Sequence, residues 1–288
     1  MDDIITVFIS ILVEATPFLI LGTLIAIIVQ RYNIFDWLIA RLPSNKFIRR
    51  ISVSLFGVAL PVCECGNVPL ARSLMRKGLT TAEATTFLLA APILNPITFI
   101  TTKEAFRGVP WMLPARMLGG LAVALIVGHF MGIYKQNKVL RKDFIATCKP
   151  RKIHEHNKSK FSLQFAEEFW SMFKLLALGS AIASLTQFVL NQNILSNVTS
   201  NYVLGVFIML LLGFVISICS NVDAFFALGY AGTFRYGALL TFLIAGPMVD
   251  IKTLAMLKNT YTKKALYQIT FSVAFLACAI GIGFSYVG

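Results

Sequence analysis

Long apolar stretches alternate along this chain with short polar ones. Nearly continuous apolar runs occupy 4–29, 111–134, 169–190, 202–219, 238–257 and 265–287, and weaker ones lie at 47–62 and 84–102. A helix needs roughly 20 mostly apolar residues to cross a bilayer. Inside the bilayer only helices and closed barrels satisfy their own backbone polar groups. The pattern predicts an all-α, polytopic membrane helix bundle of about eight hydrophobic segments. The first run is too long and too apolar for a signal peptide. Its start, Met1-Asp2-Asp3, also lacks the basic residues of such a leader.

Composition agrees. Charged residues make up 14% of the 288 positions and hydrophobic ones 57%, whereas a soluble domain carries about 25% charged residues. The formal charge of +13 raises the question of nucleic acid. However, the basic residues sit in short loops between apolar runs, where the positive-inside rule places them. No nucleic-acid partner is therefore expected; the expected partners are the lipid bilayer and a small-molecule solute. The longest polar stretch, 135–165, includes His154 and His156 and reads as a basic cytoplasmic linker with a side affinity for anionic lipid. It separates a first membrane unit, 1–134, from a second, 166–288.

The two units echo each other. Pro17–Ala26 (PFLILGTLIA) matches Lys174–Ala183 (KLLALGSAIA), Cys65–Val68 (CGNV) matches Cys219–Val222 (CSNV), and Phe87–Pro92 (FLLAAP) matches Phe242–Pro247 (FLIAGP). The matches keep their order and nearly constant separation, which argues for a duplicated unit. Charge sets its orientation. Residues 31–50 carry Arg31, Arg41, Lys46, Arg49 and Arg50 against Asp36, and 135–160 carry nine basic residues against Asp143 and Glu155. By contrast, 191–201 carries no charge. Both basic stretches lie on one side only if each unit crosses an odd number of times. That predicts two inverted repeats, each with a broken helix hairpin: 47–62 with 67–77, and 202–219 with 221–232. Broken helices meeting near the midplane are a common transporter plan.

The breaks carry the candidate chemistry. Pro61, Gly66 and Pro69 argue against a continuous helix through 61–69. Asn67 and Asn221 are placed to cap the short helices that follow. Two facing helix N-termini can hold an anion or polar ligand, or the asparagines can serve as caps alone. Cys63 and Cys65 share a face on extended backbone but not on a helix. Paired thiols suit soft, thiophilic species, with Cys219 approaching from the second unit; buried packing is the other reading. Glu64, Asp223, Asp250 and Lys252 are charges inside apolar surroundings, which marks them for coupling, solute contact or a structural ion pair. Lys252 is expected to pair with Asp223 or reach the cytoplasmic edge, because positions two apart do not face each other on a helix. Asn95, before Pro96, breaks 84–102 and either lines a pathway or only kinks the span. His129 is the one histidine in a span and reads as packing. No set of residues for catalysis, a resident metal or a cofactor stands out, and there is no GxxxxGK[ST] loop for driving transport with ATP. The chain is not expected to be an enzyme.

At these positions the chain resembles a bacterial family of predicted permeases that includes the organoarsenical efflux permease ArsP. The likeness rests on Pro61-Val62-Cys63-Glu64-Cys65-Gly66 with Pro69, and on Ala91-Pro92-Ile93-Leu94-Asn95-Pro96. It also rests on Cys219-Ser220-Asn221 with Asp223, and on Gly246-Pro247 with Asp250 and Lys252. The resemblance implies a secondary permease of the cytoplasmic membrane. For the arsenical branch it implies export of trivalent organoarsenicals through Cys63, Cys65 and Cys219. The expected solute-binding set is Cys63, Cys65, Asn67, Asn95, Cys219 and Asn221; Glu64, Asp223, Asp250 and Lys252 are expected to serve in coupling or ion pairing. The alternative is a membrane-bound thiol, metal-handling or redox protein that partners another membrane subunit. A homo-oligomer is a further expectation of assembly.

Overall fold

A computed structural model describes residues 2–31, 39, 41–59, 64–134, 136–148, 161–189 and 202–285, and every described segment is helix or connection apart from one isolated bridge. The long first helix, α1 (Asp2–Arg31), is followed by α2 (Lys46–Ser54) and α3 (Phe56–Ala59). Next come α4 (Glu64–Arg76), α5 (Thr81–Leu94), α6 (Pro96–Ala105) and α7 (Met112–Ile133). Two short helices, α8 (Gln136–Val139) and α9 (Lys142–Cys148), lead to α10 (Phe161–Val189). The remainder is α11 (Tyr202–Ile216), α12 (Asp223–Leu228), α13 (Tyr236–Met248), α14 (Ile251–Leu257) and α15 (Lys263–Ser285).

Local chemistry fixes several boundaries. Asn45 caps α2 through its side chain, which accepts from the Phe47 amide at 2.9 Å. Thr80 and Glu83 form a reciprocal capping box at the start of α5. Glu83 also pairs with Arg49 at 2.7 Å, tying α5 to α2. Pro96 disfavours helical backbone at the residue before it. Asn95 is accordingly extended, with φ −61° and ψ 133°, and the axis bends 42° between α5 and α6. Val249 and Asp250 make a similar extended step between α13 and α14.

Four spans among the described residues are long and apolar enough to cross a membrane: Phe8–Ile28, Met112–Ile133, Tyr236–Leu257 (α13 continued by α14) and Lys263–Ser285. Counting the bent α5–α6 pair as one span gives five. The expectation of about eight hydrophobic segments is therefore corrected. The run 47–62 divides into α2 and α3 at Leu55. The run 202–219 yields only the 15 residues of α11, about 22 Å against a hydrocarbon core of roughly 30 Å. The run 169–190 lies in α10 and ends on a residue outside the described set. The expected inverted-repeat pairing is not carried either, since matched positions build unlike elements. Opposite α2 and α3 stands the single helix α11, and opposite the 13-residue α4 stands the six-residue α12. The match of Cys65–Val68 with Cys219–Val222 pairs a stretch inside α4 with the turn before α12.

Burial separates axis from periphery. The Tyr236–Leu257 span is 83% buried and the Lys263–Ser285 span 33%, so α13 and α14 form the centre while α15 shows a flank to lipid. Close helix approaches depend on glycine: a Cβ at Gly22 of α1 would collide with the Gly66 backbone of α4, and one at Gly237 of α13 with the Gly281 carbonyl of α15. Such small-residue contacts are how membrane helices pack without a hydrophobic driving force.

The basic connections gather at one end of the bundle. Leu140 bridges Tyr261 in antiparallel fashion, the Arg141 amide donates to the Thr260 carbonyl, and the Thr262 amide donates to the Val139 carbonyl. The guanidinium groups of Arg72 and Arg76 lie over the Phe144 ring. Arg50 contacts His129 at 2.9 Å, so this histidine has a cationic neighbour rather than apolar packing alone. Tyr261 donates to or accepts from Thr85 at 3.1 Å, and burial pushes its phenol up to about 12. At the opposite end Arg235 lies over the Tyr202 ring and donates to the Ser285 carbonyl, while Trp111 packs on Tyr236 and Phe284.

Candidate functional site

Between these two ends the non-helical segments and half-length helices converge on a buried polar centre. Helix α11 stops at Ile216, and Ser217 takes a left-handed conformation with φ 54°. Non-glycine residues adopt that region at a cost. The turn frees the Ser217 carbonyl, which accepts from the Lys252 ammonium at 3.0 Å. The same ammonium donates to Glu64 Oε1 at 2.9 Å and lies 3.6 Å from Asp250 Oδ2. The second Glu64 oxygen accepts from the Ser220 hydroxyl at 3.2 Å and lies 3.9 Å from the Cys219 sulfur. Glu64, Asp250 and Lys252 are all at least 97% buried. The site thus joins the start of α4, the turn after α11 and the start of α14.

A second ion pair lies nearby. Arg116 of α7 donates to Asp223 Oδ2 at 2.5 Å and to the Thr102 hydroxyl at 2.7 Å. Arg116 is fully buried. The Thr98 hydroxyl reaches the Pro92 carbonyl at 3.0 Å and the Ser220 carbonyl at 3.4 Å, which connects the α5–α6 bend to the turn below Lys252. Unpaired charge at this depth is expensive, and here each charged group meets an opposite one.

Each sequence-predicted residue but Cys63 has a definite place. Glu64, Asp250 and Lys252 come together. The expectation that Lys252 pairs with Asp223 is corrected, since Asp223 belongs to Arg116. The two-residue spacing of Asp250 and Lys252 does not separate them, because Asp250 is an extended N-cap whose side chain accepts from the Thr253 amide at 2.6 Å. Cys65 and Cys219 are buried free cysteines. Cys63 lies outside the described residues. The helix is already formed at Glu64, so Cys65 and Asn67 are helical and Asn67 is not an N-cap. Asn221 sits in the turn before α12, whose cap is Val222, and its buried Oδ1 has no hydrogen-bond partner. Asn95 is a cap: its side chain accepts from the Ile97 amide at 2.9 Å.

Arg116, Thr98, Thr102 and Ser217 belong to this centre and did not stand out in the sequence, while Ser220 stood there only as part of the Cys219-Ser220-Asn221 match. Arg116 had a signal, a lone cation in the first turns of an otherwise apolar run. The serines and threonines had none beyond their nearness to the breaks. No group of three or more His, Cys, Asp or Glu side chains suited to a metal ion occurs among the described residues.

A family model described as "Predicted permease" (ArsP_1) matches residues 1–286. The Bacillus subtilis protein described as "UPF0718 protein YcgR" is 36% identical over 268 residues, covering 92% of this chain and 90% of that protein. A Streptococcus mutans protein described as "Putative two-component membrane permease complex subunit" is 32% identical over 269 residues, covering 91% and 88%. The Escherichia coli "UPF0718 protein YraQ" is 23% identical over 288 residues, covering 95% and 77%. No solved structure matches.

Proposed function

Because the chain belongs to the ArsP_1 family of predicted permeases, a multi-pass membrane protein family rather than an enzyme family, we propose that it is a secondary permease exporting a small polar or thiophilic solute through the buried polar centre. The observation that carries this reading is the Glu64–Lys252–Asp250 cluster, a set of charges from separate elements held together deep in an apolar bundle. Buried intramembrane charge marks solute and ion pathways. Glu64, Lys252, Asp250 and Asp223 act in coupling, by exchanging partners as the pathway opens from one side to the other. Cys63, Cys65 and Cys219 supply soft ligands if the solute is thiophilic, a trivalent organoarsenical being the case the family points to. Asn67, Asn95 and Asn221 offer amide contacts along the same route.

Everted vesicles incubated with a panel of trivalent arsenicals and other small polar solutes test this. Accumulation of one of them should fall at least tenfold in Glu64→Gln. Cys65→Ser and Cys219→Ser should reduce it only for the thiophilic members. If no panel solute moves, and Cys63 and Cys65 instead form a disulfide in cells, the redox alternative replaces it. A second membrane subunit is favoured by the description of the Streptococcus mutans relative. Its test is whether another membrane protein co-purifies with the chain in stoichiometric amount.

A further inference from the structure

Away from the polar centre, the outer flank of the bundle carries a continuous apolar groove between α10, α11, α13, α14 and α15. Its basic-end section, about 500 Å³, is lined by Leu178, Ile251, Leu254 and Tyr267 and opens beside Lys258 and Lys263. Phe214 and Thr270 also line a middle section of about 340 Å³. Phe207, Leu210 and Ala274 continue it into a third section of about 430 Å³ that ends at Ile282. The groove therefore runs from the basic end of the bundle toward the end that holds Ser285. Phe271 is 73% exposed and Tyr267 77% exposed, so the walls face hydrocarbon.

We propose that this groove binds one anionic phospholipid, with its phosphate at Lys258 and Lys263 and an acyl chain along α15. Charge complementarity selects this occupant. Two exposed lysines mark one end only, and the rest of the lining is almost wholly apolar. That amphipathic layout matches a lipid with a charged head and a hydrocarbon tail. A neighbouring protein helix has no need of a cationic end. The lysines also lie beside Thr260, Tyr261 and Thr262, the strip that holds α8 and α9. The headgroup site thus sits at the basic face, where an anionic leaflet attracts lysine.

Native mass spectrometry of the full chain, delipidated in detergent and titrated with phosphatidylglycerol or phosphatidylcholine, tests this. One phosphatidylglycerol should be retained in preference to phosphatidylcholine. Neutralising a lysine at an anionic surface weakens attraction by roughly fivefold, so Lys258→Gln with Lys263→Gln should cost on the order of twentyfold. Lys46→Gln, an exposed lysine at the start of α2 that lines no section of the groove, should leave retention unchanged. Ala274→Trp fills the middle of the groove and should lower retention of the acyl chain without touching the lysines. Equal retention of both lipids would overturn the proposal, as would unchanged retention in the Lys258/Lys263 variant. A second protein chain that crosslinks from Phe271→Cys in membranes and excludes lipid would also overturn it.

Discussion

Replacing Arg116 with Met gives the most direct reading of how the buried centre is held. Arg116 is fully buried and Asp223 is 2% exposed, with their nearest atoms 2.5 Å apart. Two unit charges about 4 Å apart attract by about 4 kcal/mol at an effective dielectric of 20. The desolvation cost of both groups is already spent in the folded bundle. Removing one partner therefore strands the other, which typically costs about 3–5 kcal/mol. Loss of the Thr102 contact adds about 1 kcal/mol. Replacing both charges, Arg116→Met with Asp223→Leu, removes the mismatch and is commonly neutral or stabilising. Steric-trap unfolding of the purified protein in bicelles measures all four states of this cycle. Arg116→Met should be destabilised by about 3–5 kcal/mol, and the double variant should recover most of that loss. Transport should stay absent in the double variant if the pair serves coupling. A loss below about 1 kcal/mol for Arg116→Met, or a double variant worse than either single one, would refute the reasoning.

Other expectations follow from contacts already described. Gly22→Leu places a side chain into the Gly66 backbone and should prevent α1 from docking on α4, seen as loss of a monodisperse peak in detergent chromatography; a normal peak would contradict the packing. In a cysteine-free background, Lys142→Cys and Asn259→Cys should resist an impermeant thiol reagent added to intact cells, whereas Arg107→Cys and Gly232→Cys should react; the reverse pattern would invert the orientation. The Tyr261 phenol is held neutral up to about 12, so stability is full below pH 10 and falls as pH rises through about 12. Tyr261→Phe should flatten that alkaline limb and cost about 1 kcal/mol at neutral pH for the lost Thr85 contact.

The residues that were legible in the sequence are those whose chemistry conflicts with an apolar setting. Glu64, Asp250 and Lys252 stood out because charge inside a membrane run demands a partner, and the three do meet. Their pairing was not legible, because it depends on backbone that departs from helical period. Asp250 reaches its near neighbour only as an extended cap, and Lys252 reaches Ser217 only because that residue turns left-handed. Asn67 misled for the opposite reason. A run of Pro, Gly and Asn suggests a break through 61–69; positions 61–63 lie outside the described residues, and Glu64–Arg76 is one helix that holds Gly66 and Pro69 inside it. Arg116 was hidden by its position near the start of a strongly apolar run, where a cation resembles an ordinary end anchor. Counting segments by hydropathy failed where half-length helices end inside the protein.

The cage around Lys252 shows how a charge is kept where water is scarce. An ammonium has three donors, and here three oxygens stand around it, from Glu64, the Ser217 carbonyl and Asp250. The protein thus supplies a dry substitute for a hydration shell. One ammonium stands against two carboxylates, Glu64 and Asp250, and Asp250 Oδ2 keeps unused acceptor capacity. Moving Lys252 out of this cage therefore requires a replacement partner for the ammonium and for the carboxylates it leaves behind.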